Sequence, residues 1–271
     1  MSLSLTDLNS YLLAASSGAV VGQGCRTACF EGSSAMHEGT VRRVGVASGI
    51  AAAILSVAWF VTFQAKDAIA PIPDWSDVEA YAVALSPWRM LYIYPSLLLA
   101  LAYLALLSAV HVQVQGPRRV WSLSALAVGI VYATMASVNY NIQAVGVRWS
   151  LAAGETTGME MFLPDNPHSI FGALSTSYVY MALSMAALAF VFRDGPLERV
   201  IHWVLIAQLV SAVGQTASSM FGAGDGVLIA TGLVWVVGAP VAFFLIARWF
   251  SHPPGPAASS RTQGPVVRTG S

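Results

Sequence analysis

The chain has 271 residues, 56% of them hydrophobic and 10% charged; 13 basic residues balance 13 acidic ones, and the mean hydropathy is +0.66. A soluble domain carries about 25% charged residues, so this chain has too little polar surface to coat a globule of its size. Zero net charge excludes a nucleic-acid binder that works by neutralising phosphates. Two cysteines exclude a disulfide scaffold, and the apolar content excludes a disordered module. What remains is an all-α, polytopic membrane bundle.

Residues 1–42 read as a cytoplasmic segment ahead of the first span. Within it, Leu8, Tyr11, Leu12 and Ala15 can share one face of a short interfacial helix, with disorder as the alternative. The apolar piece from Tyr11 to Val21 is broken by Ser16, Ser17 and Gly18 and follows no basic start, so it does not read as a secretory signal. Cys25 and Cys29 with His37 lack the four-ligand spacing of structural zinc and are expected to be free thiols; no metal site is predicted.

Six stretches then meet the requirement of about 20 mostly apolar residues for a membrane-crossing helix: Val44–Phe63, Leu91–Val112, Trp121–Val145, Ile170–Phe192, Ile201–Phe221 and Val227–Ala247. None contains Asp, Glu, Lys or Arg. Gly45 and Gly49 give the first span a GxxxG spacing suited to close helix contact. The transmembrane domain is expected over 43–250. The tail, 251–271, with Pro253, Pro254 and Pro256, reads as flexible and cytoplasmic.

The basic residues set the direction. With the amino terminus inside, the inner side holds ten arginines, among them Arg42, Arg43, Arg118, Arg119, Arg193, Arg199 and Arg248. The outer side holds only Lys66, Arg89 and Arg148. The positive-inside rule therefore predicts both termini in the cytoplasm. Twelve arginines against one lysine are compatible with a GC-rich bacterial genome, and a bacterial plasma membrane is the expected location.

Intramembrane polar residues show which helix faces point inward, since each needs a partner away from lipid. Gln208, Ser211, Gln215 and Ser219 form one stripe on span five. Span three is polar on two sides, Tyr132, Asn139 and Gln143 against Thr134, Ser137 and Asn141, which predicts a central helix. Most of this polarity sits in the outer halves of the spans. It predicts an outward-facing polar pocket among spans two to five, with Trp88, Arg89, Tyr92, Asn139, Asn141, Arg148, Tyr178 and Gln215 as ligand-binding candidates. The expected ligand is small and neutral or lipophilic, and membrane lipid is the expected partner.

The connection from Val147 to His168 is long enough to act as a lid or binding element, and its Glu160, Asp165 and His168 are the candidates for acid–base catalysis. A membrane enzyme acting on an isoprenoid or lipid, of cyclase or isomerase type, is thus an alternative to a binding protein. A passive transporter or exporter is another. No nucleotide-binding or HExxH motif is present, so no cofactor is expected. The absence of charge within the spans argues against an ion-coupled pump.

Three segments, SPWRMLYIYPSLLLALAYLALLSAVH from Ser86, PHSIFGALSTSYVYMALSMAALAFVF from Pro167 and GVLIATGLVWVVGAPVAFFLIARWF from Gly226, together resemble small six-helix bacterial integral membrane proteins of unknown function. The resemblance covers roughly residues 43–250 and implies the six-span topology, with no assigned catalytic residue.

Overall fold

In the computed structural model the described residues are 23–71, 75–164, 166, 169–222 and 224–252. The chain divides into two units, Met1–Thr40 and Val41–Ser271. Of the first, the described part is helical from Gln23 onward; the segment predicted as an interfacial helix and the tail beyond His252 lie outside the described residues. The following concerns the second unit.

Among the described residues the chain is all helical, with no strand. The helices are α1 (Gln23–Ile69), α2 (Val78–Ala84), α3 (Ile93–Gln113), α4 (Arg119–Asn141), α5 (Arg148–Ala152), α6 (Ile170–Ser175), α7 (Ser177–Ala189), α8 (Pro196–Phe221) and α9 (Asp225–Ser251). Five stretches are long and apolar enough to cross a membrane: Glu38–Ile69, Pro87–Gln113, Gly116–Ala152, Pro196–Ser218 and Gly226–Ser251. At about 1.5 Å per residue each reaches roughly 34 Å or more, enough for a hydrocarbon core of about 30 Å. Their exposed faces are apolar, with Ile54, Val57, Leu98, Leu101, Val210, Val213 and Val237 all more than half or nearly half accessible. These features are consistent with a multi-pass integral membrane protein.

The fourth predicted span differs. Ile170–Phe192 is split at Thr176 into α6 and α7, and its continuous apolar stretch, Ala173–Ala189, is shorter than the other five. The break follows from three successive hydroxyl residues. Ser175 Oγ donates to the Phe171 carbonyl at 2.8 Å and Thr176 Oγ1 to that of Ala173 at 2.6 Å, which draws carbonyls away from the helical ladder.

Neighbours pack in the order α3–α4, α4–α7, α7–α8 and α8–α9. Helix α1 lies against α9, where Gly45 and Gly49 provide the close approach. A Cβ on Gly49 would stand 2.9 Å from the Ala247 methyl and 3.0 Å from the Phe243 carbonyl oxygen. The GxxxG pair is therefore spent on an intramolecular crossing. The third predicted span is not the most enclosed: 33% of its apolar window is buried, against 50% for the window that contains α3. Only one of its polar faces turns inward. Asn139 and Gln143 are buried, whereas Asn141 is exposed and donates to the Ser137 carbonyl at 2.8 Å. Such a bond back to the helix's own backbone meets a polar side chain's need without a neighbouring helix.

The two ends of the bundle differ in charge. At one end Arg118 pairs with Asp194 at 2.6 Å, and Arg42 donates to the last carbonyls of α9, to Phe250 at 2.6 Å and to Ser251. Glu198 accepts from the backbone N–H groups of Arg193 and Asp194 and from the Trp249 indole, closing the α7–α8 turn. The opposite end carries Asp67, Asp77, Glu79, Glu155 and Glu160.

The hydrogen bond from the Arg118 guanidinium holds the Asp194 carboxyl below its ordinary value. A depressed carboxylate contributes stability that is present above the unfolded-state value and is lost as pH falls through the folded one. Thermal stability is expected to fall modestly on acidification below about pH 4, with a smaller fall in Asp194→Asn; the pair is solvent-exposed, so the difference is small. Melting temperatures of the two proteins between pH 6 and pH 3 check this.

Candidate functional site

Toward the acidic end, the bundle holds a contiguous set of aromatic rings. Trp59 of α1, Tyr178 of α7 and Trp235 of α9 touch one another, with ring centroids 5.1 to 5.2 Å apart and mostly edge-to-face. Tyr178 continues to Tyr132 at 5.8 Å, and Tyr132 to Tyr103 at 5.7 Å. The hydroxyls of Tyr140 and Tyr178 are hydrogen-bonded at 2.9 Å. In that bond one phenol O–H donates to the oxygen of the other, and both side chains are buried.

Beside these rings lies a half-enclosed cavity of about 440 Å³. Its deeper wall is formed by Trp59, Tyr140, Tyr178 and Trp235; Gln64, Ser175 and Gln215 add amide and hydroxyl groups nearer the helix ends. Gln215 is fixed by its Nε2 donating to Ser211 Oγ at 3.0 Å. The indole N–H of Trp235 is buried with no acceptor among the described residues. Both interrupted helices border the cavity. The α6–α7 break at Thr176 falls between the lining residues Ser175 and Tyr178, and the π-helical segment Ile142–Val147 starts two residues past Tyr140. Breaks of this kind recur at binding sites within membranes.

Two of the eight ligand-binding candidates, Tyr178 and Gln215, line this cavity; the other six lie elsewhere. Arg89 is buried and donates to Asp67 Oδ1 at 2.7 Å and to the Ala70 carbonyl at 3.0 Å, tying the end of α1 to the turn before α3. Trp88 is exposed. Tyr92 is buried between Phe63 and Tyr140, and Asn139 is buried on α4. Asn141 faces outward on its own helix. Arg148 lies over the Trp149 ring and beside Leu85, Met90 and Leu151 at a separate cleft of about 180 Å³.

Of the acid–base candidates, Glu160 is exposed in the 3₁₀ turn Met159–Phe162, where its backbone carbonyl accepts from Asn166 Nδ2 at 2.6 Å. Asp165 and His168 lie outside the described residues, as do the side chains of Cys25, Cys29 and His37. Among the described residues no group of three His, Cys, Asp or Glu is arranged to hold a metal ion.

The cavity is set among α1, the end of α4, α6–α7, α8 and α9, and no described residue of α3 lines it. Trp59, Tyr140 and Trp235 of the aromatic wall, with Gln64 and Ser175, are not among the sequence-predicted candidates. Tryptophan in a membrane protein usually marks an interface, but Trp235 stands about 12 Å along its helix from Val227, well inside an apolar span. A mid-span indole was the available signal.

Among the described residues the cavity lining holds no carboxylate, imidazole or thiol; its hydroxyl groups are the phenols of Tyr140 and Tyr178 and the Ser175 side chain. Its aromatic faces, amides and hydroxyls can hold and orient an uncharged molecule. Comparison with protein-family models, curated proteins and solved structures found no match.

Proposed function

We propose that this integral membrane protein binds a small, neutral, lipophilic ligand in the aromatic cavity between α1 and α9. The observation that carries the reading is a cavity of about 440 Å³, within the usual range of about 300–1,000 Å³ for ligand sites, walled by aromatic rings and provided with a few amide and hydroxyl groups. An ion would enter without a counter-charge among the described lining residues, at a desolvation cost that a neutral molecule avoids.

In this reading α6 and α7 together make a sixth crossing, with both termini on the arginine-rich, cytoplasmic side of a bacterial plasma membrane. Positive-inside charge bias supports that orientation. The cavity then opens toward the outer leaflet.

Gly232 provides the test. It lines the cavity, and a Cβ built on it meets nothing within 4 Å, so a large side chain there enters open space while improving local helix propensity. Purified protein titrated with 6-bromo-2-naphthol, a flat neutral quencher, is expected to show saturable loss of tryptophan fluorescence. Gly232→Phe should weaken that binding at least tenfold with an unchanged melting temperature. Binding that is the same in both proteins would place the ligand elsewhere.

A further inference from the structure

A second concavity lies on the same α1–α9 seam. It is an open groove of about 630 Å³, lined by Ala53, Ile54 and Val57 of α1 and by Pro240, Val241 and Phe244 of α9. Every described lining residue is apolar.

Helix register shows how groove and cavity are related. On α1, Ala53 and Val57 of the groove and Phe60 and Gln64 of the cavity recur at i, i+4, i+7 and i+11, one continuous stripe. On α9, Ile229, Leu233 and Val236 of the cavity are followed on the same face by Pro240 and Phe244 of the groove. The two hollows therefore share one edge of the α1–α9 seam. The groove faces outward from it through Ile54 and Val61, and the cavity inward through Trp59 toward Tyr178 and Trp235. The Gly49–Ala247 contact closes the seam beyond the groove. The track covers about 16 Å along α1, from Ala53 to Gln64, and about 25 Å along α9, from Leu228 to Leu245.

Its polarity is graded. Gln64 and Gln215 sit within about 10 Å of the ends of α1 and α8, near where an interface would lie, whereas the groove runs toward the middle of the spans and offers carbon alone. An amphiphile standing in one leaflet has the same gradient: a polar head near the interface and a hydrocarbon tail directed to the midplane. Resting on the binding reading above, we infer that the ligand is a single-chain lipid with an uncharged hydroxyl or carbonyl head, bound head-first in the aromatic cavity with its tail laid in the α1–α9 groove.

The head is neutral because, among the described residues, none that lines either hollow is charged. Entry is lateral. The exposed Gln64 of α1 and the exposed Leu228, Ile229 and Leu233 of α9 edge the cavity on the face that continues into the groove. Binding the tail transfers it between two apolar surroundings, so it adds little affinity; what the groove fixes is the pose.

The experiment accordingly reads position. Full-length protein in phosphatidylcholine nanodiscs is photolabelled with hexadecanol carrying a diazirine at carbon 3 or at carbon 15, and the labelled peptides are mapped by mass spectrometry. The carbon-3 probe should label the cavity wall around Ser175, Gln215 and Leu233. The carbon-15 probe should label Ile54, Val57, Val241 and Phe244 at least fivefold above the lipid-facing residues Leu98, Leu101, Val210 and Val213. Ala53→Phe, which fills the groove, should disperse the carbon-15 labels while leaving the carbon-3 labels in place, and Gly232→Phe should remove both. If carbon-3 labelling is confined to the cavity but carbon-15 labelling spreads evenly over the lipid-facing surface, the single-chain pose is overturned and the cavity remains a binding site. If neither probe is enriched and Gly232→Phe changes nothing, both readings fail.

Discussion

Gly49→Ala is expected to destabilise the bundle more than Gly45→Ala, although the space at Gly45 is the tighter by distance. A Cβ at Gly45 would come within 2.4 Å of the Phe250 ring, and one at Gly49 within 2.9 Å of its nearest neighbour. What decides the cost is whether that neighbour can move. Phe250 meets Gly45 with ring atoms, which can swing about their side-chain torsions. Gly49 faces the Ala247 methyl, the Phe243 carbonyl oxygen at 3.0 Å and the Ala247 Cα at 3.3 Å, all fixed to the α9 backbone. The only relief there is to move one helix away from the other, which loosens every contact along the seam. Overpacking of this kind costs about 1–3 kcal/mol, offset by up to about 1 kcal/mol because alanine is the better helix former. Gly45→Ala should thus destabilise through the displaced, buried Phe250 ring, Gly49→Ala more, and Gly49→Leu more still. Unfolding in SDS followed by far-ultraviolet circular dichroism gives the order. If Gly45→Ala is the more damaging, α1 and α9 do not meet as described.

The same seam shows what the amino-acid sequence could and could not reveal. Five long apolar helices were readable because charge is excluded from them, and excluding charge is a requirement of the bilayer on each helix singly. The close-contact role of Gly45 and Gly49 was readable as spacing, but its partner was not. Any smooth helix face would satisfy two glycines, and Ala247 carries no signal that it is the one. The fourth span was read as continuous because serine and threonine are nearly neutral in hydropathy. Their cost is local and geometric, through Ser175 and Thr176 bonding to the carbonyls of Phe171 and Ala173. Two polar sides predict a central span three, but a polar side chain such as Asn141 needs no neighbouring helix when it bonds back to the Ser137 carbonyl of its own helix.

The cavity was legible in part for a related reason. Tyr178 and Gln215 were picked out by polar residues recurring at helical spacing, a property of single helices. The wall itself is made by residues from different helices, and only packing reveals that Trp59, Tyr178 and Trp235 converge. Arg89 and Arg148 are two of the three cations that the sequence places on the outer side. One is held by Asp67 and the Ala70 carbonyl, and the other rests on its neighbour Trp149. A cation near the interface is adequately explained by such local anchoring.

Ser184→Ala is expected to cost more than Tyr103→Phe, and the double variant less than their sum. These two side chains join three helices in the middle of the bundle. Tyr103 of α3 donates to Ser184 Oγ of α7 at 2.8 Å, and Ser184 Oγ donates to the Ala125 carbonyl of α4 at 2.6 Å; both residues are fully buried. Removing the Ser184 hydroxyl leaves the Tyr103 phenol without its partner in a place closed to water, at a cost of about 1–3 kcal/mol. Removing the phenol hydroxyl leaves Ser184 still bonded to α4, so only one ordinary bond is lost, about 0.5–1.5 kcal/mol. Once Tyr103 has become phenylalanine, Ser184→Ala strands no donor. The double-mutant cycle should therefore give a coupling of about 0.5–1.5 kcal/mol, with the lower part of that range typical of hydrogen bonds between membrane helices. Additivity within about 0.3 kcal/mol would mean that the bond is energetically idle. The consequence reaches the cavity, because Tyr178 lies on α7 about 9 Å from Ser184 and its partner Tyr140 on α4. Ser184→Ala also removes the α7–α4 bond to the Ala125 carbonyl, which Tyr103→Phe keeps, and so frees the α4–α7 pair to shift; it should weaken bromonaphthol binding severalfold while Tyr103→Phe leaves it nearly unchanged. The aromatic wall is then held in place by the polar pair beneath it.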